Sequence, residues 1–372
     1  MNPTPVSSVM PRRRFISHLS AAGAVALAPR ALLGATPPGK KLGVALVGLG
    51  GYSSGQLGPA LKLTQHCRLA GVVTGSPEKG RKWAADYGFP ESNIYHYDTM
   101  AKLADNPDID IVYVVTPNAL HAQHAIAAAK AGKHVICEKP MANSVAECDA
   151  IIAACQKAGV RLSIGYRLHF DPFHEELRRL ARTQEFGPFM KMDGGFAFTM
   201  GNMQWRATRQ LAGGGPLMDL GVYVIQESFM AAGEVPAVAV TARELPKQRP
   251  EFFRDVEESI EWTLEFANGA KGAGYCSYNS NRNNFRAEAA GGWYEAGPAY
   301  SYRGLRAATS RGPVNATPLA SQQALQIDGF ARNVLDGTPS PVPGEMGRRD
   351  MVVVEAIYAS AATGGKRVEL KF

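Results

Sequence analysis

From Leu42 to Ile164 the chain alternates short apolar runs with alanine-rich stretches, and that alternation leaves few folds open. Leu42–Val47 is apolar without a break, as a strand covered on both faces must be. Leu69–Val73, Ile109–Val115, Val135–Cys137 and Leu162–Ile164 repeat the pattern. Helices are expected between them over Pro77–Tyr87, Leu120–Ala131 and Ser144–Ala158, the first with proline near its opening turn. Strand and helix in strict succession predict a doubly wound parallel sheet, α/β in class.

After Tyr166 the texture changes. Lys191–Phe198, Ser259–Phe266 and Ala273–Tyr278 read as longer strands, and Asn268-Gly269 between the last two is a strong hairpin signal. The expectation is a second, α+β domain over residues 164–372 with a large, mainly antiparallel open sheet, following a dinucleotide-binding domain over residues 36–163. Gln323–Ser360 returns to helix, expected to pack back on the first domain. An open sheet needs a cover on its second face, and another copy of the chain can supply it, so a homodimer is expected.

The first 35 residues differ from the rest. Arg12-Arg13-Arg14 precede Phe15-Ile16, an apolar run from Leu19 to Leu27, and small residues ending at Ala35. That order describes an export signal, and Arg12-Arg13-x-Phe15-Ile16 resembles the twin-arginine type, with Pro11 where Ser or Thr is usual. A periplasmic destination follows as an expectation, with no membrane attachment once the signal is removed. Arg12, Arg13, Arg14 and Arg30 account for four of the seven formal net positive charges, leaving +3 for the remainder. So weak an excess, without a basic stripe interleaved with aromatics, gives no reason to expect a nucleic-acid partner. The five cysteines are odd in number and contain no Cys-x-x-Cys pair, so neither a disulfide framework nor a metal site is expected.

Gly48-Leu49-Gly50-Gly51-Tyr52-Ser53 follows the first strand directly. Its glycines fall where a Rossmann-type turn brings backbone N–H groups to a pyrophosphate at a helix N-terminus, although Ser53 replaces the last glycine or alanine. At the end of the second strand, Thr74-Gly75-Ser76 and then Lys79 and Arg81 offer hydroxyls and positive charge. An NAD site places a carboxylate there for the ribose 2′-hydroxyl. Hydroxyls and cations suit a 2′-phosphate instead, so NADP is the expected cofactor, with Glu78 read as a first-turn residue facing solvent. Thr116-Pro117-Asn118 lies on the carboxyl edge of a later strand, where ligands bind in such sheets. Asn118 and His121 are candidates for the ribose or nicotinamide; for Asn118 a helix cap is the alternative.

Glu138-Lys139-Pro140 also leaves a strand at its carboxyl end. A buried ammonium needs a partner, and a Lys-Pro step invites a cis bond that would aim the side chain. Farther on, Gly213-Gly214-Gly215 opens a helix carrying Asp219 and Tyr223, four apart and therefore on one face. These motifs, with the stretches Gly165–Pro172 and Gln204-Trp205-Arg206, resemble the glucose–fructose oxidoreductase and aldose–aldose oxidoreductase branch of the Gfo/Idh/MocA dinucleotide sugar dehydrogenases. The likeness covers most of the chain from about residue 40; Tyr223 stands where the wider family often has His.

The resemblance implies that Lys139 and Tyr223 are the catalytic pair and Asp219 a substrate ligand. Oxidation of a sugar C1 hydroxyl to a lactone must lose a hydride and a proton. A free phenol titrates near 10, too high for efficient abstraction near neutrality, and an adjacent ammonium favours the phenolate. Arg167, Trp205, Arg206 and Tyr278 are candidates for lining the site, and Glu138 for the cofactor. An exported enzyme finds no NADP pool, so the resemblance and the signal together imply a tightly held cofactor. A second sugar, aldose or ketose, would re-oxidise it in a ping-pong cycle. An aldose dehydrogenase with exchangeable cofactor and a non-catalytic sugar sensor are the alternatives.

Overall fold

The computed structural model describes residues 41–233 and 235–372, so the export-signal segment and most of the segment just after it lie outside the described residues. The first sheet is built from β1 (Leu42–Val47), β2 (Cys67–Val73), β3 (Ile94–Tyr95), β4 (Ile111–Val114), β5 (His134–Cys137) and β6 (Leu162–Ile164). Every pairing is parallel and the order is β3-β2-β1-β4-β5-β6. Strand order therefore reverses at β1, which opens a crevice above its carboxyl end between β1 and β4. The short β3 has no sequence signature of its own. It is two residues long and exists because Val72 and Val73 present an edge to it.

The helices α1 (Gly58–Leu61), α2 (Pro77–Tyr87), α3 (His121–Lys130) and α4 (Val145–Ala158) connect these strands. Ser76 caps α2, accepting from the Lys79 N–H, and Ser144 caps α4 through the Glu147 N–H. Both helices end on a left-handed glycine, Gly88 and Gly159.

The second sheet contains β7 (Phe189–Ala197), β8 (Ala237–Glu244), β9 (Ser259–Phe266), β10 (Lys271–Ser277), β11 (Arg282–Ala289), β12 (Gly292–Ala296), β13 (Ala307–Thr309), β14 (Gly312–Pro313) and β15 (Val368–Glu369). Its order is β14-β13-β12-β11-β7-β10-β9-β8-β15, antiparallel throughout except for β7 with β10. Gly269, at φ +85°, turns the β9–β10 hairpin. Residues of β9 alternate strictly between buried and half-buried, the mark of a sheet packed on one face. The packed face receives α7 (Val222–Ala232) and, on β8, the C-terminal helix Gly344–Ala362; α5 (Pro172–Arg182) packs on α7, and α6 (Arg209–Ala212) lies against the turn Asn118–Leu120 of the first domain.

The helical region expected over Gln323–Ser360 is two helices, α8 (Gln322–Leu335) and α9 (Gly344–Ala362), with Pro341 and Pro343 in the break. Ile327 and Phe330 of α8 share a buried cluster with Leu42, Val44 and Leu46. Asp328 secures that contact by accepting from the Gln65 and His66 N–H groups at 2.7 and 2.8 Å. All five cysteines are buried free thiols. No helix among the described residues is long and apolar enough to cross a membrane.

Candidate active site

The glycine turn is held by local bonds. Gly48 sits at φ +98° with the Val115 carbonyl only 3.1 Å from where a Cβ would stand, so any other residue would be strained there. Ser53, wholly buried, donates its hydroxyl to the Gly48 carbonyl at 2.6 Å. Its place in the motif is therefore structural: the hydroxyl staples the turn to the π-turn Ser53–Leu57 that precedes α1. Gly50 and Gly51 face open space, which leaves room for a ligand to approach the backbone closely.

That space is a cleft of about 520 Å³, ample for much of a dinucleotide. Gly48, Gly50, Gly51, Tyr52, Thr74, Gly75, Ser76, Lys79, Thr116, Pro117, Trp205 and Arg206 line it, as do Ser53, Val115 and Tyr97. The tip of β2 brings hydroxyls and the Lys79 ammonium to its wall and no carboxylate; Glu78 stands exposed in the first turn of α2. The donor set fits a dinucleotide.

At the other end, Lys139 reaches across from the end of β5, just before a cis Lys139–Pro140 bond. Its Nζ donates to the Asp219 carbonyl at 2.7 Å and to Asp219 Oδ1 at 3.0 Å. The same Nζ lies 4.8 Å from the Tyr223 ring centroid. Asp219 belongs to a π-turn, Leu217–Gly221, that leads into α7 and departs from the regular helix that the Asp219/Tyr223 spacing assumes. Asp219 Oδ2 accepts from Tyr278 Oη at 2.9 Å and lies 3.2 Å from Arg206 Nε. Burial would raise the Asp219 pKa, but Lys139 and Arg206 outweigh it and hold the carboxyl well below its usual range. Burial likewise works against the Lys139 charge, and Asp219 and Tyr223 more than offset it, so its pKa is raised.

Two family models match the chain: an oxidoreductase family with an NAD-binding Rossmann fold over residues 42–166, and the GFO/IDH/MocA C-terminal domain over residues 174–292. The chain belongs to the Gfo/Idh/MocA oxidoreductases. Among solved structures it is similar to the aldose-aldose oxidoreductase of Caulobacter crescentus, crystallised with glycerol: 41% identity, TM-score 0.85, covering 89% of this chain and 100% of that one. Among curated relatives it is 28% identical to D-xylose 1-dehydrogenase (NADP(+)) 2 of Haloferax volcanii, over 86% of this chain and 97% of that one. A levoglucosan dehydrogenase in complex with NADH and levoglucosan shares the fold, at 22% identity and TM-score 0.76, over 90% of this chain and 100% of that one.

Several candidates in this Gfo/Idh/MocA oxidoreductase serve the site from behind. Arg81 is exposed on α2 and does not line the cleft. Asn118 is buried and donates to the Ala212 carbonyl at 2.9 Å, tying α6 to the cleft wall; Pro117, not Asn118, holds the cap position there. His121 places its ring nitrogens 2.8 Å from the Pro140 and Thr116 carbonyls, bracing the two loops, and burial pushes its pKa down to about 4. Glu138 turns inward to accept from Tyr113 Oη at 2.6 Å, and burial pushes its carboxyl up.

Arg167 and Tyr278, expected to touch the sugar, are also occupied. Arg167 is 2% exposed, and the Tyr300 and Ser301 carbonyls and Gln322 Oε1 take the N–H groups of its Nη1 and Nη2, while its Nε is buried without a partner among the described residues. What it offers the site is its face, 5.1 Å from the Tyr223 ring centroid and 4.5 Å from that of Tyr302. Tyr278 is fully buried and acts through Asp219.

Sequence reasoning missed Tyr97, Tyr302 and Glu257. Glu257 is 2% exposed and accepts from the Gly215 and Leu217 N–H groups, each at 3.0 Å, and from Tyr358 Oη at 2.9 Å. A distant carboxylate thus caps the helix start that carries Asp219. Gly215 must be glycine because a Cβ would stand 2.2 Å from the Glu257 carbonyl. Nothing in the local sequence around Glu257 announces this contact.

Proposed function

We propose that this chain is an NADP-dependent sugar oxidoreductase that oxidises an aldose at C1 to the lactone and reduces a second sugar, aldose or ketose, to an alditol on the same residues. The observation that carries the reading is the convergence of Lys139, Asp219 and Tyr223 beside a glycine-turn cleft whose wall includes Arg206, the Asp219 partner. NADP is favoured by the hydroxyls and the Lys79 ammonium at the β2 tip and by the cofactor named for the xylose dehydrogenase relative.

The dinucleotide, when bound, supplies the hydride acceptor and donor. Tyr223 takes the C1 hydroxyl proton during oxidation and returns a proton to the carbonyl of the second sugar, so the two half-reactions balance. Lys139 keeps its charge against burial because Asp219 pairs with it, and that charge favours the phenolate through the transfer. Three of the carboxylate's acceptor positions are taken by Lys139, Tyr278 and Arg206, leaving little beyond one for a sugar hydroxyl.

The export-signal pattern of residues 1–35 supports a periplasmic site of action, and with it retention of NADP between half-reactions. The outer face of the second sheet, lined by Thr241, Arg243, Glu261, Thr263 and Tyr275, supports a homodimer built on that face. Pure protein incubated with mixed aldoses and ketoses, without added cofactor, should form aldonic acid and alditol in matched amounts. Absence of NADP from an extract of the pure protein would overturn the retained-cofactor reading. The relative named as a xylose dehydrogenase favours a second reading, an aldose dehydrogenase with exchangeable cofactor, for which turnover would depend on added NADP.

A further inference from the structure

A small cavity against Tyr223 is also lined by His169, His174, Gln226 and Glu227, charged and polar side chains that the chemistry above does not use. His174 of α5 is 2% exposed. Its Nε2 lies 3.0 Å from Glu227 Oε1, an ion-pair distance without good hydrogen-bond alignment, and its Nδ1 lies 3.5 Å from Asp171 Oδ1. Asp171 also caps α5, accepting from the Phe173 N–H at 3.0 Å. Burial would raise its pKa, but His174 and Gln322 hold it down, so Asp171 stays a carboxylate.

The other oxygen of Asp171 accepts from Gln322 Nε2 at 2.9 Å. A carboxylate can only accept, so this contact decides which end of the Gln322 amide is the nitrogen. The amide oxygen therefore points the opposite way, and there it accepts from Arg167 Nη1. Gln322 is 2% exposed, so both ends make these bonds away from bulk solvent. With the Tyr300 and Ser301 carbonyls it fixes the guanidinium fork, which lies over the Tyr223 ring.

We propose that Gln322 is a positioning residue for proton transfer: oriented by Asp171, it holds the Arg167 guanidinium against Tyr223, so that the phenol works between two fixed cations, Lys139 and Arg167. The proposal rests on the reading of Tyr223 as proton acceptor. In a dry site the interaction between charges changes steeply with separation, so a guanidinium free to swing away by an ångström or two would stabilise the phenolate less. The groups facing Tyr223 or Arg167 are Lys139 and Glu138 after β5, Asp219 in the π-turn, Tyr52 in the glycine turn, Tyr300 and Tyr302 in the segment before β13, and, across the small cavity, His169, His174 and Arg178 with Glu227. Lys139 and Asp219 pair with each other, and Gln322 touches neither.

The test is rapid mixing of cofactor-loaded protein with an aldose, following absorbance of the bound nicotinamide from pH 5 to 10, for wild type and Gln322→Met. The variant should transfer hydride about tenfold more slowly at pH 7. Its low-pH limb should move up by about one pH unit, because withdrawing a cation disfavours a phenolate. Sugar affinity should stay within about twofold, as for an interaction made only in the transition state. A folded, loaded variant with the wild-type limb overturns the proposal, whether or not its rate falls, since a merely structural tie would leave the limb in place. If Gln322→Met does not fold, Gln322→Asn keeps the amide but is one methylene short of Arg167, and the same outcomes apply. A wild type that reacts with an aldose while its variant is unchanged sinks this inference alone; a wild type that reacts with no aldose sinks the functional reading along with it.

Discussion

Lys139 meets Asp219 twice, through the carboxylate at 3.0 Å and through the backbone carbonyl at 2.7 Å. The second contact comes from the backbone of the π-turn Leu217–Gly221, to which Asp219 belongs. The ammonium is thus held by the turn as well as by the charge, beside the Tyr223 ring.

Lys139→Met should reduce turnover by about a thousandfold or more, as expected for loss of a group that stabilises the reacting phenolate. It also leaves Asp219 buried with one fewer cation, so chemical denaturation should show a loss of about 2–4 kcal/mol, less than for a fully orphaned charge because Arg206 remains.

Tyr223→Phe removes the proposed proton acceptor and keeps the ring that packs edge-on against Phe196. Turnover should fall by about 10²–10⁴, while the melting temperature and bound-cofactor content stay at wild-type values. A variant that remains active would show that the phenol takes no proton.

His174 gives the stability a pH signature. Burial opposes its charge, but Glu227 and Asp171 prevail and raise its pKa to about 9 from an ordinary 6.5. A raised folded-state pKa contributes stability fully below about 6.5 and loses it as pH climbs through about 9. Denaturant midpoints should therefore fall across that window, by up to about 3 kcal/mol for this one group. In His174→Gln that slope should flatten.

Glu257→Leu should cost about 2–4 kcal/mol, because the Gly215 and Leu217 N–H groups and the Tyr358 hydroxyl lose a buried acceptor together. Activity should fall too, since the helix start carrying Asp219 is no longer capped. Glu257→Gln keeps one acceptor oxygen and should fall between wild type and Leu on both measurements.

Lys79→Glu should weaken NADP retention by at least about tenfold and narrow the preference over NAD, because a carboxylate repels a 2′-phosphate and accepts from a 2′-hydroxyl. Cofactor content after gel filtration reads this directly.

Much of the first sheet could be read residue by residue. The unbroken apolar runs of β1 and β4 have only one use, burial on both faces, and strand–helix succession then admits one handedness and few orders. The cleft was legible for the same reason, since a ligand site at the carboxyl ends of parallel strands follows from topology, and the Gly48–Ser53 turn after β1 and Thr74–Ser76 after β2 sit on those ends. The proposed pairing of Lys139 with Tyr223 came from motif likeness; the bonds that orient it are matters of packing. Asp219 draws on Arg206 and Tyr278, Gly215 on Glu257, and Arg167 on Gln322 from far along the chain. Local pattern specifies what a segment buries and how it turns. Which distant polar group satisfies a buried donor is decided only when the two sheets and α8 pack, because that choice depends on positions that no local period encodes. So Arg167 and Tyr278, apt in type for holding a sugar, are turned by packing toward other side chains, and Ser53, the apparent flaw in the glycine motif, becomes the bond that holds it.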